Sequence, residues 1–145
     1  MRDNERVHSL PRDASDANIL ALVDDWVELL AEERYGEALE LVAARSYWTV
    51  DLLRAVIQGY GIPEPHPSGR SFRVTSPRTA TTGANSPSAP ARTVNRWEEP
   101  NDVNCIGAVQ YDLPIDGHWS DLTALFEIVQ DGDWLALELD DVHVL

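Results

Sequence analysis

The sequence predicts an α+β domain in which three N-terminal helices pack on a curved antiparallel sheet. Two regions carry this prediction. In residues 103–145, apolar side chains alternate along three segments separated by two Asp-Gly turns, at residues 116–117 and 131–132. In residues 15–61, apolar side chains recur three and four residues apart, as in amphipathic helices. The strand alternation changes parity at Asp140–Asp141, which is typical of a β-bulge, and bulges curve a sheet.

Three helices are predicted in order. Ser15 is the expected N-cap of a first helix that reaches about Glu33. A second, shorter helix follows from Tyr35, and Thr49 caps a third that ends at Gly59 or Gly61. Their expected core positions are Ile19, Leu22, Val23, Trp26, Leu29, Leu30, Ala38, Leu39, Val42, Val50, Leu53, Val56 and Ile57.

The middle of the chain is rich in proline and small polar residues. Residues 62–67 are predicted to form an extended connector, and residues 71–75 a short strand. Residues 76–91 consist of Ser, Thr, Ala, Gly, Asn, Pro and one Arg, so we expect a mobile loop that packs against nothing. Residues 92–97 should return to the sheet. We therefore expect a disordered N-terminus over residues 1–14 and a single domain over residues 15–145.

Length and composition favour a soluble cytoplasmic protein. The chain has 145 residues, and 43% of them are hydrophobic, which suits one domain with its own core. The first residues contain no apolar run of the kind found in a signal peptide, and no segment approaches the length of a membrane span. The single cysteine, Cys105, excludes an intramolecular disulfide and is expected to be a small buried side chain.

Charge is distributed unevenly along the chain. The net charge is −14, and every basic residue is Arg. Residues 1–64 hold 13 acidic residues and six Arg, while residues 65–97 hold five Arg and no acidic residue. Residues 98–145 hold 12 acidic residues and no Arg. This balance disfavours nucleic acid and anionic membranes as partners, and it suits a basic protein surface, a cation or a metal. An acidic exposed face that only keeps the protein soluble is the simpler interpretation.

Candidate binding residues cluster around the predicted hairpins. A general acid or base needs a titratable group in a dry cavity, and Asp112, Asp121 and His143 lie in or beside strands. Four tryptophans at element ends, Trp48, Trp97, Trp119 and Trp134, are candidate anchors for a partner, and we favour Trp119. The full predicted binding set is Tyr111, Asp112, His118, Trp119, Asp121, Asp141 and His143.

Several kinds of chemistry have no motif here. The spacing of His and Cys matches no metal-binding pattern, so no metal is predicted. No Walker A sequence and no G-x-G-x-x-G sequence occurs, and no other signal points to a cofactor. Ser120 lies in no nucleophile elbow.

The run from Tyr111 to Thr123, together with the run from Leu137 to Leu145, is similar to a family of small bacterial domains of unknown function. The layout of three helices followed by a bent sheet also resembles the cone-shaped NTF2-like (cystatin-like) superfamily. That resemblance implies a concave sheet. It also implies either an isomerase, dehydratase or hydrolase pocket, or a non-catalytic binding module such as the immunity proteins of bacterial toxin systems. No catalytic motif of those enzymes maps onto this chain residue by residue.

We therefore interpret the chain as a non-catalytic binding module, immunity-like or antagonistic, whose acidic sheet face meets a basic protein. The alternative is a small-molecule enzyme in which Asp112 or Asp121 is the base and Tyr111 or His143 its partner. A third possibility is a regulatory subunit that forms a homodimer through its sheet.

Overall fold

A computed structural model describes residues 9–44, 47–84, 86–101 and 104–144. These residues form an α+β fold with three helices and a curled antiparallel sheet, as the sequence predicts. The helices are α1 (Asp16–Ala31), α2 (Tyr35–Leu41) and α3 (Val50–Gln58). The strands are β1 (Leu10–Pro11), β2 (Ala43–Ala44), β3 (Arg92–Arg96), β4 (Cys105–Ile115), β5 (His118–Asp131) and β6 (Trp134–Val144).

The helix caps follow the predicted chemistry. Ser15 accepts a hydrogen bond from the Asn18 backbone, and the Asn18 side chain accepts one from the Ser15 backbone, which completes a capping box. Thr49 caps α3 in the same way through the Leu52 N–H. Beyond α3, Tyr60 and Gly61 both adopt positive φ, so the chain turns sharply into the proline-rich connector.

The sheet has the strand order β1-β6-β5-β4-β3, and β2 pairs in parallel with β6. Both hairpins close with two-residue turns. In the β4–β5 turn, Asp116 and Gly117 both have positive φ, and Gly132 opens the β5–β6 turn. The register between β5 and β6 shifts opposite Asp140, so the predicted bulge is confirmed.

The core lies between the helices and one face of β4, β5 and β6. Trp26 of α1 packs edge-on against Phe126 of β5, with the ring centres 4.9 Å apart. The inward parity of each long strand is buried, as the alternation predicts, through Val109, Tyr111, Leu113, Leu122, Ala124, Phe126, Ile128, Leu135, Leu137, Leu139 and Val142. Cys105 is buried as expected, and its thiol donates to the Gly107 carbonyl.

The expectation that residues 76–91 pack against nothing is wrong for the described part of that loop. Thr81 forms a bridge with His118, and the Ser86 hydroxyl donates to the Trp119 carbonyl. The segment before it also packs, since Val74 is buried and bridges Ile115. The loop is therefore held by the β4–β5 hairpin, because that hairpin presents backbone groups that need partners.

Residues 9–14 also make contacts that the composition of the N-terminus does not indicate. Leu10 and Pro11 pair with Leu135 and Trp134 at the edge of β6, and Ala14 is buried. Residues 1–8, Asn85, Val103 and Leu145, which belong to other parts of the prediction, lie outside the described residues. Among the described helices, none combines the length and the apolar character required to cross a membrane.

Candidate functional site

The predicted binding residues do not form one site. The structure brings His118 and Trp119 together at one cleft and places the other five elsewhere. Each of those five has a hydrogen-bond partner within the protein.

Tyr111 is a core residue. It lies on the face of β4 that α1 covers, and its hydroxyl donates to Asp24 Oδ1 at 2.6 Å. The Arg92 guanidinium contacts the same Asp24 carboxylate at 2.7 Å and lies over the Tyr111 ring, 5.3 Å from its centre. Burial, and then the hydrogen bond to Asp24, raises the pKa of Tyr111 well above its ordinary value. Tyr111 therefore joins α1 to the sheet rather than facing a ligand.

Asp112 is also internal, with 6% of its surface exposed. It accepts hydrogen bonds from the Ala91 N–H and the Thr123 hydroxyl, both at 2.7 Å. The bond to Ala91 holds the residue just before β3 against β4, and the bond to Thr123 joins β4 to β5. The carboxylate of Asp112 is thus occupied by protein donors.

Asp112 and His143 lie on strands that flank β5, since both are in register with Thr123. The Thr123 hydroxyl is within hydrogen-bond distance of the Asp112 carboxylate and of the Asp121 carbonyl. Asp121 accepts a hydrogen bond from the Tyr60 hydroxyl at 2.6 Å. Burial, followed by this bond to Asp121, raises the pKa of Tyr60. His143 Nδ1 lies 2.6 Å from Asp141 Oδ2, two residues along one face of β6. None of the base–partner pairs of the enzyme alternative is joined by a hydrogen bond among the described residues.

One cleft of about 380 Å³ lies beside the β4–β5 turn. We call it the hairpin cleft. His118 and Trp119 contribute to one wall, together with Asp116. Trp119 is only partly exposed, because it packs against the core with its ring centre 6.4 Å from that of Tyr111. It is therefore a lining residue of a cleft rather than the projecting anchor that its position in the sequence favours.

The second wall of the hairpin cleft is the loop that was expected to be mobile. Trp119 N donates to the Thr81 carbonyl and Thr81 N to the Gly117 carbonyl, both at 3.0 Å. Gly83 lies so close to His118 that a Cβ at this position would be 3.0 Å from the imidazole ring. The close approach explains why glycine is suited to this position.

The third wall comes from the end of α3 and the connector. Tyr60, at φ 54°, places its ring 4.9 Å from Phe72. His66 packs on the same ring at 5.1 Å, and the Arg70 guanidinium lies over it at 4.8 Å. Sequence reasoning did not select these four residues. The acid-free composition of residues 65–97 was the available signal, but it does not show which hairpin the segment meets.

Four of the five arginines of that acid-free segment form ion pairs within the protein. Arg92 and Arg96 form ion pairs with Asp24 and Asp16 of α1, at 2.7 and 2.8 Å. Arg78 reaches Glu28 of α1 at 3.6 Å, and Arg70 reaches Asp116 of the β4–β5 turn at 3.2 Å. Arginines of the acid-free middle segment therefore neutralise acidic residues elsewhere in the chain, mostly on α1.

The opposite end of the sheet has a different surface. Trp97 follows β3 and is 43% exposed, and its backbone N–H donates to the carbonyl of Ile106 at the start of β4. The start of β4 pairs with the end of β5, so the β5–β6 turn lies at this same end. The exposed aromatic and acidic side chains here define what we call the acidic end: Trp97, Glu98, Glu99, Asp131 and Asp133. The exposed Arg12 lies at the same end, since its backbone N–H donates to the Asp133 carbonyl.

No protein-family model, no curated protein and no solved structure matches the chain. In the described parts of the chain, no three His, Cys, Asp or Glu side chains are grouped so that they could hold a metal ion. The two candidate binding surfaces of this protein are the hairpin cleft and the acidic end.

Proposed function

We propose that this protein is a non-catalytic binding module that engages a basic protein through its acidic end. The observation that carries the proposal is an exposed tryptophan, Trp97, at the end of the sheet that also carries four exposed carboxylates. A tryptophan with an exposed face is the side chain most often found at the energetic centre of a protein interface. The surrounding carboxylates define the charge of the partner.

Electrostatics support this choice of partner. With a net charge of −14, the chain attracts a basic protein over a distance set by the ionic strength. Arg96, the cation of β3 nearest to Trp97, is already bound to Asp16 and to the Ala14 carbonyl. Nucleic acid and anionic membranes remain poor candidates for the same electrostatic reason.

The proposal also includes a specific role, a cellular location and a fold superfamily for this protein. An immunity-like or antagonist role against a basic protein is the most concrete version, since such a role requires binding and no catalysis. A cytoplasmic location and an NTF2-like cone are compatible with the single buried thiol and with the curled sheet. The enzyme alternative has less support, because the side chains of Asp112, Asp121 and His143 each bond to a different partner and not to one another, although they lie close together on β4, β5 and β6.

The test is native mass spectrometry of the tagged protein, isolated gently from its own host at low salt. Two quadruple variants are compared, and each moves the net charge from −14 to −10 by removing four carboxylates. The acidic-end variant carries Glu98→Gln, Glu99→Gln, Asp131→Asn and Asp133→Asn. The matched control carries the same charge change at exposed positions elsewhere: Asp25→Asn, Glu33→Gln, Glu40→Gln and Glu64→Gln.

We expect a basic protein to accompany the native chain and the control, to dissociate as salt rises, and to be lost from the acidic-end variant. Trp97→Ala should weaken the complex about 30-fold, as expected for an interface centre worth about 2 kcal/mol. Equal loss in both quadruple variants would show that net charge, not this surface, matters. A bare chain or a homodimer would also contradict the proposal.

A further inference from the structure

We propose that the hairpin cleft binds a small planar ligand that carries an anionic group, such as an aromatic carboxylate. The cleft lies at the opposite end of the sheet from the acidic end. The ligand site therefore does not depend on the proposed basic partner, because the small ligand and the partner protein would bind at different ends of the sheet.

The cleft is less acidic than the protein as a whole. Its lining residues from His66 to Ser86 belong to residues 65–97, which contain no acidic residue. Among the described residues that line the cleft, Arg70 is the one arginine and Asp116 is the one residue with a carboxylate. Since the Arg70–Asp116 contact at 3.2 Å uses one Nη atom, the guanidinium keeps other N–H groups for an anion.

A second donor follows from the hydrogen bonds of His66. The Ser68 backbone N–H points at His66 Nδ1 from 3.1 Å, and a backbone N–H can only donate. His66 Nδ1 is therefore the acceptor, and in the neutral ring the proton lies on Nε2. In this tautomer the Ser68 hydroxyl, 2.7 Å from the same Nδ1, donates to it as well. His66 thus offers an N–H donor in the wall that holds Arg70.

The remaining surface suits a flat apolar body. Phe72 is packed between Tyr60 and His66, and Trp119 faces the cleft from the β4–β5 hairpin. Aromatic walls favour planar ligands through stacking and edge contacts. The hydrogen bond from Tyr60 to Asp121 fixes one of these rings in place, so this aromatic wall is formed before any ligand arrives.

The dimensions are those of a small-molecule site. A volume of about 380 Å³ lies in the range of pockets that hold small ligands. Such pockets combine apolar walls with a few polar groups that orient the ligand. Here Arg70 and His66 are the orienting groups, and the Gly83–His118 contact closes the loop side.

The experiment is isothermal titration calorimetry of the full chain with naphthoate as the probe. Naphthalene methanol, which has the same ring system without the charge, and acetate, which has the charge without the ring, are the control probes. Arg70→Gln and Phe72→Leu remove the charge and one aromatic wall. Arg54→Gln makes the same charge change outside the cleft, at a partly exposed arginine that pairs with Asp51 and lies over the Tyr35 ring.

We expect naphthoate to bind better than either control probe. Arg70→Gln should weaken it about tenfold or more, as expected for a hydrogen bond between charged groups, and Arg54→Gln less than twofold. Phe72→Leu should weaken it several-fold while the far-ultraviolet circular dichroism stays unchanged. The proposal is overturned if naphthoate does not bind, if naphthalene methanol binds equally well, or if the two arginine variants behave alike.

Discussion

The two ends of one sheet differ in what covers them. Both the β4–β5 turn and the β5–β6 turn are tight two-residue connections. Segments from the connector and the loop cover the β4–β5 turn, and they bring arginine, histidine and aromatic rings to it. The β5–β6 turn is exposed and lies beside Trp97 and acidic side chains. Similar hairpins therefore carry opposite surfaces, because the difference comes from the chain packed on them.

The largest expected effect tests whether the cleft end depends on close packing. A Cβ at Gly59 would lie 2.1 Å from the Ile62 carbonyl and 2.3 Å from the Glu64 carbonyl. Gly59→Ala must therefore push the connector away, and we expect it to lower the free energy of unfolding by about 3 kcal/mol. At the other end, Gly132 has φ 60° with open space around its Cβ position, so Gly132→Ala should cost about 1–2 kcal/mol. Urea denaturation measures both, and equal losses would remove this contrast between the ends.

A second prediction compares polar groups at the two ends. Tyr60→Phe removes a hydroxyl that donates to Asp121 at 2.6 Å in a partly buried place, so it should cost about 1.5 kcal/mol. Glu98→Gln and Glu99→Gln change exposed side chains and should alter stability by less than about 0.5 kcal/mol. The same urea experiment applies. A large loss at Glu98 or Glu99 would mean that the acidic end supports the fold rather than awaiting a partner.

A third prediction concerns alkaline pH. The pKa of Tyr111 is raised in the folded protein above the ordinary tyrosine value of about 10, so above about pH 10 the unfolded chain loses this proton and the folded chain keeps it. The contribution of Tyr111 is therefore complete below pH 10 and declines above it, by at most about 1.4 kcal/mol per pH unit. Unfolding by urea across this range, compared with Tyr111→Phe, checks the slope. An unchanged slope in the variant would contradict the assignment of Tyr111 as a neutral core hydrogen-bond donor.

The smallest expected effect separates binding from stability at the hairpin cleft. Arg70 is 65% exposed and its ion pair with Asp116 lies at the surface. Such pairs contribute little, so Arg70→Gln should change the free energy of unfolding by less than about 0.5 kcal/mol. The same variant is expected to impair naphthoate binding. A clear loss of stability would show that Arg70 is a structural residue, and the binding data would then need a variant at His66.

Particular residues show how far sequence reasoning reached. The caps at Ser15 and Thr49, the β4–β5 turn and the bulge at Asp140 were all predictable, because each depends on neighbouring residues and on a periodicity of two or 3.6. The partners of the predicted binding residues were not predictable in this way. Tyr111 and Asp112 lie in β4, where the sequence predicts a strand, but their partners Asp24 and Ala91 are 87 and 21 residues away in the chain.

By itself, the sequence determined the helices, the long strands, their inward faces and the uneven distribution of charge. Only the tertiary structure decided where that charge went and which aromatic ring stayed exposed. Trp119 is covered by the loop through Ser86, while Trp97 is left at the surface. The physical reason is range. Local propensity and periodicity act over a few residues, whereas the exposure of a side chain depends on which distant segment packs on it.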